Sequence, residues 1–217
     1  MRTIFVLIAS SLLITSFGQQ DQRIADELKS LNDVLSNSNS IVLEFTTTVL
    51  NMQDGTTTSV ESVYRRKNNQ YYSKQGAVVT IQNKAHKLTV DEENASIILS
   101  PSSAIAAPKT VDYLTSLSHC KTKQIKDTAG KKIIEMTFSE DYPVNFMTVV
   151  IKDNLPTKLM MQLKDNGESF LVTIDYSKVN IRGKVSENQF NTQKYIDSKN
   201  VLSAKYKTFK LYNLIKA

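Results

Sequence analysis

The sequence predicts an α+β fold in which a leading amphipathic helix is followed by a large antiparallel β-sheet. The helix is indicated over Gln19–Leu35, where apolar residues recur at helical spacing. From Ile41 onward the pattern changes to alternating apolar and polar residues, in segments rich in β-branched and aromatic side chains. Turn signals separate these segments, and Asn166-Gly167 is the strongest of them. One apolar and one polar face per strand are typical of an antiparallel sheet with a single covered side.

The first run of strands begins with Ile41–Asn51 and returns after Asp54-Gly55, where a tight hairpin turn needs a positive φ. Four shorter strand-like segments follow along the chain. Pro101 and Pro108 then interrupt sheet pairing, because proline lacks the N–H that a strand ladder requires. The apolar spacing after them predicts a short second helix over Thr110–Leu117.

A second run of four strands over residues 131–180 shows the clearest alternation. Its strands are separated by three predicted turns: Asp141-Tyr142-Pro143, Asn154-Leu155-Pro156 and Asp165-Asn166-Gly167. A final strand over roughly Leu202–Leu214 is predicted to extend the sheet or to pack across its end. No boundary or repeat divides the chain, which indicates a single domain over residues 19–217 with a C-terminal extension from about Ser198.

Residues 1–18 are predicted to be a signal peptide. Arg2 supplies the positive start, Ile4 to Phe17 is an apolar core, and Ser16-Phe17-Gly18 offers small residues to a signal peptidase. The apolar stretch is short and too polar at its end for a comfortable membrane span. Cleavage would leave Gln19 as the N-terminus of a protein in the periplasm or outside the cell. An uncleaved N-terminal anchor is the alternative.

The charge balance argues against a nucleic-acid partner. The formal net charge is +6, and Arg65-Arg66-Lys67 is the only dense basic run. That run lacks the interleaved aromatic residues of a single-strand nucleic-acid groove. The lone Cys120 cannot form an internal disulfide, so the fold must depend on its hydrophobic core. A lone cysteine in an oxidising compartment is most often a buried small apolar residue.

The residues offer little for catalysis, metal binding or a cofactor. His119-Cys120 invites a catalytic interpretation, but neighbours on a strand point to opposite faces and cannot pair as nucleophile and base. Asp91-Glu92-Glu93 lacks the spaced ligands of a calcium loop and is typical of a solvated turn. No phosphate loop, zinc spacing or dinucleotide fingerprint is present. The sequence therefore predicts a protein that is not an enzyme and has no cofactor.

Apolar side chains exceed what two short helices would cover. The predicted strands carry Phe45, Phe146, Met160, Met161 and Phe170, and methionine in particular adapts to irregular space and flexible ligands. Two interpretations remain open at this point: the residues pack beneath the helices, or they line a lipid cavity. Patterning alone does not distinguish a filled core from a cleft.

The order of elements and several local motifs resemble one known family. The motifs are carried by Phe45, Asn154-Leu155-Pro156, Asn166-Gly167, Tyr176, Asn180 and Phe190. They are similar to those of the LolA/LolB-like family of periplasmic lipoprotein carriers and related lipid-handling proteins, over most of residues 23–196. The resemblance implies a curved half-barrel sheet whose concave face is covered by helices. Arg66 falls where the family has an arginine that helps to hold a closed lid, although Lys67 replaces the proline after it.

The resemblance implies non-enzymatic binding or transport of lipid acyl chains or of a lipoprotein in the periplasm. The expected partners are a lipid or an acylated protein, with another envelope protein as a further candidate. The alternative is a structural or assembly component of the cell envelope whose cavity is filled. The expected ligand-cavity residues are Leu43, Phe45, Val49, Arg66, Leu159, Met161, Phe170 and Val172. For the later strands the opposite register, led by Met160 and Leu171, is an open alternative.

Overall fold

The structure is a computed structural model that describes the backbone of residues 2–102 and 117–215 and, within these ranges, the side chains from Gln19 onward. A long helix precedes the strands, and two short 3₁₀ helices lie near the C-terminus. The elements are α1 (Arg2–Asn37), β1 (Ser40–Asn51), β2 (Thr57–Lys67), β3 (Gln70–Gln75), β4 (Val78–Gln82), β5 (His86–Asp91), β6 (Ser96–Pro101), β7 (Cys120–Thr128), β8 (Lys131–Phe138), β9 (Val144–Lys152), β10 (Leu155–Asp165), β11 (Glu168–Asn180), the 3₁₀ helices Glu187–Phe190 and Ala204–Tyr206, and β12 (Lys210–Asn213).

The strands belong to one sheet in the order β12-β6-β5-β4-β3-β2-β1-β11-β10-β9-β8-β7. The chain divides into two compact units, which are described separately. Unit 1 comprises Met1–Val34, Val49–Thr57 and Val111–Ile174, and unit 2 comprises Leu35–Thr48, Thr58–Thr110 and Asp175–Ala217. The long elements α1, β1 and β11 contribute residues to both units.

In unit 1, α1 lies against β7 and β8. Three ion pairs join the helix to these strands: Asp21 with Lys123, Arg23 with Asp127, and Glu27 with Lys132. One face of β7 carries Lys123, Ile125 and Asp127, which lie two positions apart along the strand. The helix therefore covers the face that carries Ile125. Partly exposed ion pairs stabilise little. The helix is therefore held mainly by apolar burial, and its Ile24, Leu28 and Leu31 are at most 1% exposed.

The covered face of unit 1 is built from rows of paired apolar residues. Ile125 of β7 pairs with Ile134 of β8, which pairs with Val149 of β9, which in turn pairs with Leu159 of β10. The last three are at most 1% exposed, and Ile125 is 8% exposed. Because side chains alternate between faces along a strand, the register that aligns this row also aligns its neighbours at every second residue.

Two-residue turns with positive φ set the register of the β9–β10 and β10–β11 hairpins. Asn166 and Gly167 have φ of 50° and 84°, as the sequence predicts for a primed turn. Between β9 and β10 the corresponding residues are Asp153 and Asn154, with φ of 51° and 60°. The predicted Asn-Leu-Pro turn is therefore displaced by one residue, and Pro156 lies near the start of β10, where the absence of its N–H is tolerated.

In unit 2, one face of β4–β6 is fully buried. Six apolar residues form it, two from each strand: Val79, Ile81, Leu88, Val90, Ile97 and Leu99. The C-terminal segment covers this face through Val185, Phe190, Tyr195, Ile196 and Tyr206. The rings of Tyr195 and Tyr206 pack with centroids 4.9 Å apart. Over its described residues this cover contains no α-helix, only 3₁₀ turns and irregular chain.

The residues beyond Ser198, predicted as an extension, are part of this core. Leu202 and Phe209 pack against it, and β12 pairs with β6. That pairing is parallel, so the sheet is mixed and the prediction of a wholly antiparallel sheet is wrong at this edge. The C-terminal segment crosses the face of β4–β6 before it reaches the edge of the sheet, and β12 therefore runs in the same direction as β6.

The coarse prediction of an α+β fold dominated by a large sheet is confirmed. The helix predicted over Gln19–Leu35 lies within α1. The predicted second helix lies outside the described residues except for Leu117, and the predicted signal peptide lies where side chains are not described. A concave face covered by helices therefore stays a prediction. Within the described residues, no helix has the length and apolar character needed to cross a membrane.

The C-terminal cover of unit 2 can be tested at Tyr206, which is 4% exposed. Tyr206→Ala removes a large buried ring, so we expect the free energy of unfolding to fall by about 3 kcal/mol. Val201→Ala alters an exposed residue of the same segment and should change it by less than about 0.5 kcal/mol. Urea denaturation of the two variants gives the comparison. Equal stability of both variants would mean that the segment does not close this core.

Candidate functional site

The eight predicted cavity residues divide between the two units. Unit 1 contains Val49, Leu159, Met161, Phe170 and Val172, and unit 2 contains Leu43, Phe45 and Arg66. The structure thus brings five of them into one compact unit and three into the other. Each group is considered within its own unit.

In unit 1, the register aligns three methionines in one row. Met136 of β8 pairs with Met147 of β9, which pairs with Met161 of β10. Met136 and Met147 are buried, whereas Met161 is half-buried. The row lies on the face that α1 covers, next to the row that ends at Leu159. Sequence reasoning missed Met136 and Met147, because only strand pairing reveals that they continue the surface of Met161.

The hairpin of β10 and β11 is apolar but incompletely covered. After Leu159, none of its residues up to Ile174 is fully buried. Seven apolar side chains there are half-buried: Met160, Met161, Leu163, Phe170, Leu171, Val172 and Ile174. They occupy both faces of the hairpin, since apolar residues at successive positions point in opposite directions. This segment differs from β8 and β9, whose apolar residues alternate between buried and half-buried.

A hydrogen bond identifies the two faces of this hairpin. The Gln162 amide donates to Ser169 Oγ at 2.8 Å, so these side chains share a face, and Leu171 lies on it by alternation. Phe170 and Val172 then lie on the other face, with Met161. The sequence-predicted grouping of Met161 with Phe170 and Val172 agrees with this arrangement.

The opposite face of β7–β9 mixes polar and apolar side chains. A shallow cleft of about 340 Å³ lies there, and its lining includes Thr122, Gln124 and Glu135 together with Phe146. Glu135 accepts hydrogen bonds from Gln124 at 2.5 Å and from Lys126 at 2.8 Å. The carboxylate is therefore already held by its neighbours.

In unit 2, the two apolar candidates have different surroundings. Leu43 is buried, whereas Phe45 is half-buried and its ring lies 5.7 Å from that of Tyr176. Both residues lie on the same face of β1, since they are two positions apart. Leu43 is thus a packed core residue, and Phe45 retains some accessible surface.

Arg66 closes the C-terminal end of α1. Its guanidinium Nη2 donates to the carbonyl oxygens of Leu35 at 2.8 Å, Ser36 at 3.0 Å and Ser38 at 2.8 Å. The last carbonyls of a helix have no partner within the helix and carry partial negative charge, so a cation there is favourable. Arg66 is only 6% exposed and borders a polar cleft of about 320 Å³ between Asn39 and Asn69.

Two buried hydroxyl groups near Arg66 have no hydrogen-bond partner among the described residues. They are Ser62 Oγ and Tyr64 OH, which lie with Arg66 on one face of β2. Burial raises the pKa of Tyr64 to about 12, while the nearby Arg66 charge acts in the opposite direction. A buried hydroxyl without a partner costs free energy, so these side chains are held by the surrounding packing rather than by their own polarity.

The groups that could carry acid–base or nucleophilic chemistry are separated. His119 lies just before β7 and stacks on Tyr142, with ring centroids 4.6 Å apart. Cys120 is half-buried rather than fully buried as predicted, and burial raises the pKa of its thiol. His86 bonds Thr192 Oγ at 3.0 Å, and burial lowers its pKa. Among the described residues no cluster of side chains could hold a metal ion.

Neither a known family model nor a curated protein matches this chain. Solved structures do match its fold. A LolA superfamily protein from Nitrosomonas europaea is 9% identical, with a TM-score of 0.40, over 80% of this chain and 98% of that protein. An uncharacterized conserved protein from Thermus thermophilus is 8% identical, with a TM-score of 0.48, over 87% and 97%. The lipoprotein LppX from Mycobacterium tuberculosis is 14% identical, with a TM-score of 0.38, over 76% and 100%.

The capping role of Arg66 predicts that a lysine cannot replace it. Arg66→Lys retains the charge, but the shorter side chain does not bring the ammonium group to the position of Nη2, which donates to all three carbonyls. We expect the free energy of unfolding to fall by about 2 kcal/mol. Arg65→Lys is the matched control, because the Arg65 guanidinium only lies 5.9 Å from the Tyr72 ring centroid. It should cost less than about 0.5 kcal/mol. Chemical denaturation measures both, and similar losses would contradict the cap.

The buried hydroxyl predicts that Tyr64→Phe is tolerated. Removing a donor without a partner should leave stability unchanged or raise it by about 1 kcal/mol at neutral pH. In the wild type, the raised pKa contributes stability that is fully present below pH 10.0 and lost as pH rises toward about 12. The variant should therefore lose less stability across that window. Thermal melts at several pH values check this, and a clear loss at neutral pH would show that the hydroxyl is hydrogen-bonded.

Proposed function

We propose that the protein acts in the periplasm as a non-enzymatic binding protein for acyl chains. These chains belong to a lipid or to an acylated protein. The observation that supports this most strongly is the methionine row of unit 1, which passes from buried Met136 and Met147 to half-buried Met161. Phe170 and Val172 continue it along the hairpin with further accessible apolar surface. The surface is therefore continuous with the core but not covered like it.

Such a surface suits an acyl chain for physical reasons. Burial of each methylene group contributes about 0.8 kcal/mol without any fixed polar contact. Methionine side chains are unbranched and flexible, so they adapt to chains of different length and conformation. Three of the protein's six methionines lie in this one row. The proposal does not require a catalytic group.

An envelope component with a filled interior is the second candidate. The burial of three residues on the covered face favours it: Ile134, Val149 and Leu159 are each at most 1% exposed. If the accessible part of the row is too small for a chain, the same fold would serve assembly or structure rather than transport. The two functions differ in whether the isolated protein binds an acyl ligand.

Paired charge substitutions on neighbouring residues of β11 test the proposal. Phe170→Glu places a carboxylate on the Met161 face, and Leu171→Glu places one on the opposite face. We expect Phe170→Glu to weaken binding of a fluorescent fatty acid at least tenfold, about 1.4 kcal/mol, because a charge beside the chain must be desolvated. Leu171→Glu should leave binding within about twofold of the wild type. A titration followed by displacement with unlabelled palmitate measures both.

Folding of each variant is checked by circular dichroism and thermal melting, because half-buried sites tolerate a hydrated carboxylate better than filled cores. Loss of binding in Leu171→Glu alone would assign the chain to the opposite face. Absence of binding to the wild-type protein, together with unfolding of Phe170→Glu, would exclude the acyl-binding function and favour the envelope component.

A further inference from the structure

A second cleft lies in unit 2, on the face of the sheet that the C-terminal segment covers. Its cavity volume is about 210 Å³, and three tyrosines form its aromatic wall: Tyr72, Tyr195 and Tyr206. Tyr72 belongs to β3, whereas the other two come from the C-terminal segment. Tyr195 and Tyr206 are 2% and 4% exposed, so their rings are fixed by the core. The wall of the cleft is therefore rigid.

Three lysines surround this wall. Lys74 shares the face of Tyr72, because the two are alternate residues of β3. Lys194 Nζ lies 4.5 Å from the centroid of the Tyr195 ring, and Lys205 Nζ lies 5.2 Å from that of Tyr206. Contact with an aromatic face holds each of these two ammonium groups near the cleft. Both lysines are exposed to solvent, so a ligand in the cleft can reach them.

The cations of the cleft are not neutralised by the described residues. None of Lys74, Lys194 and Lys205 forms an ion pair with a described carboxylate. Glu92 also lines the cleft, so its local formal charge is three positive and one negative, or +2. Like charges held close together around a cavity repel each other unless an anion screens them. An anion that enters the cleft therefore meets an excess of positive charge.

We propose that this cleft binds a phosphate group, with Lys194 and Lys205 as its principal ligands and Lys74 as the third. A phosphate monoester carries about −1.5 to −2 charge at neutral pH, which matches the +2 of the site better than a carboxylate does. Its oxygens point in several directions, and lysines bind such a group as separate point charges.

The site is separate from the acyl-binding surface proposed for unit 1, since all of its residues belong to unit 2. The phosphate has two chemical sources, a soluble phosphate monoester or a lipid whose headgroup is a phosphate monoester, such as phosphatidic acid. The volume of the cleft accommodates a phosphate with a small organic group attached. Glycerol 3-phosphate is a probe that represents either source.

The test is a titration of the full-length protein with glycerol 3-phosphate at low ionic strength, followed by ¹H–¹⁵N NMR. We expect saturable shifts centred on the amides of Lys194, Tyr195, Lys205 and Tyr206. The double variant Lys194→Gln, Lys205→Gln should weaken the affinity at least tenfold. Lys210→Gln is the matched control, because Lys210 Nζ also lies over a tyrosine ring, 4.8 Å from the Tyr212 centroid, but does not line the cleft. It should bind as the wild type does.

Vesicle sedimentation distinguishes the two sources. Binding to phosphatidic acid vesicles that is lost in the double variant supports a lipid headgroup, and glycerol 3-phosphate binding without vesicle binding supports a soluble phosphate compound. The spectrum of the double variant must otherwise match the wild type, which excludes misfolding as the cause. Absence of saturable shifts, or equal loss of affinity in Lys210→Gln, would overturn the proposal.

Discussion

The structure depends on one constraint: each apolar face of the sheet must be covered. In unit 1 the cover is the amphipathic helix α1, which buries Ile24, Leu28 and Leu31 and is aligned by ion pairs to β7 and β8. In unit 2 it is an irregular C-terminal segment that buries Tyr195 and Tyr206. A helix covers a sheet face with a regular stripe, whereas an irregular segment depends on a few large side chains.

The places where the cover is incomplete are the places where function is proposed. Beyond Leu159 the β10–β11 hairpin carries apolar side chains that no element buries fully, and the methionine row leads into it. The second cleft lies where the aromatic side chains of the C-terminal segment meet Tyr72 and Lys74. One surface is apolar and adaptable, and the other is rigid and positively charged.

Local sequence patterns located the helix and the hairpin turns, but they did not show which residues of neighbouring strands pair. Helical spacing located the helix within α1, and Asn166-Gly167 located the β10–β11 turn. The row from Met136 to Met161 was not predictable, because a single sequence does not reveal which strands pair or in which register. The Tyr195–Tyr206 pair was missed for a related reason. It comes from a segment with no periodicity, where only tertiary packing determines which rings are buried.

Arg66 acquires its helix-capping contacts only through the tertiary fold. The resemblance matches its position to a lid-holding arginine, and the structure places its guanidinium on the last carbonyls of α1. The basic run Arg65-Arg66-Lys67 does not by itself indicate which of its three side chains is buried. Strand alternation determines which one is buried, because it turns Arg66 inward beside Tyr64 while Arg65 stays partly exposed.

The C-terminal position of the unit 2 cover has a consequence for the order of folding. Strands β3–β6 can form their hydrogen bonds as soon as they are synthesised, because each pairs with its neighbour in the chain. Their apolar face stays open until about one hundred further residues have been made, since Tyr195, Tyr206 and β12 come last. Chains truncated before this segment should therefore be substrates for chaperones that recognise exposed apolar strands. The completed protein also protects its own sheet edge, because β12 occupies the side of β6 that would otherwise be free to pair with another chain.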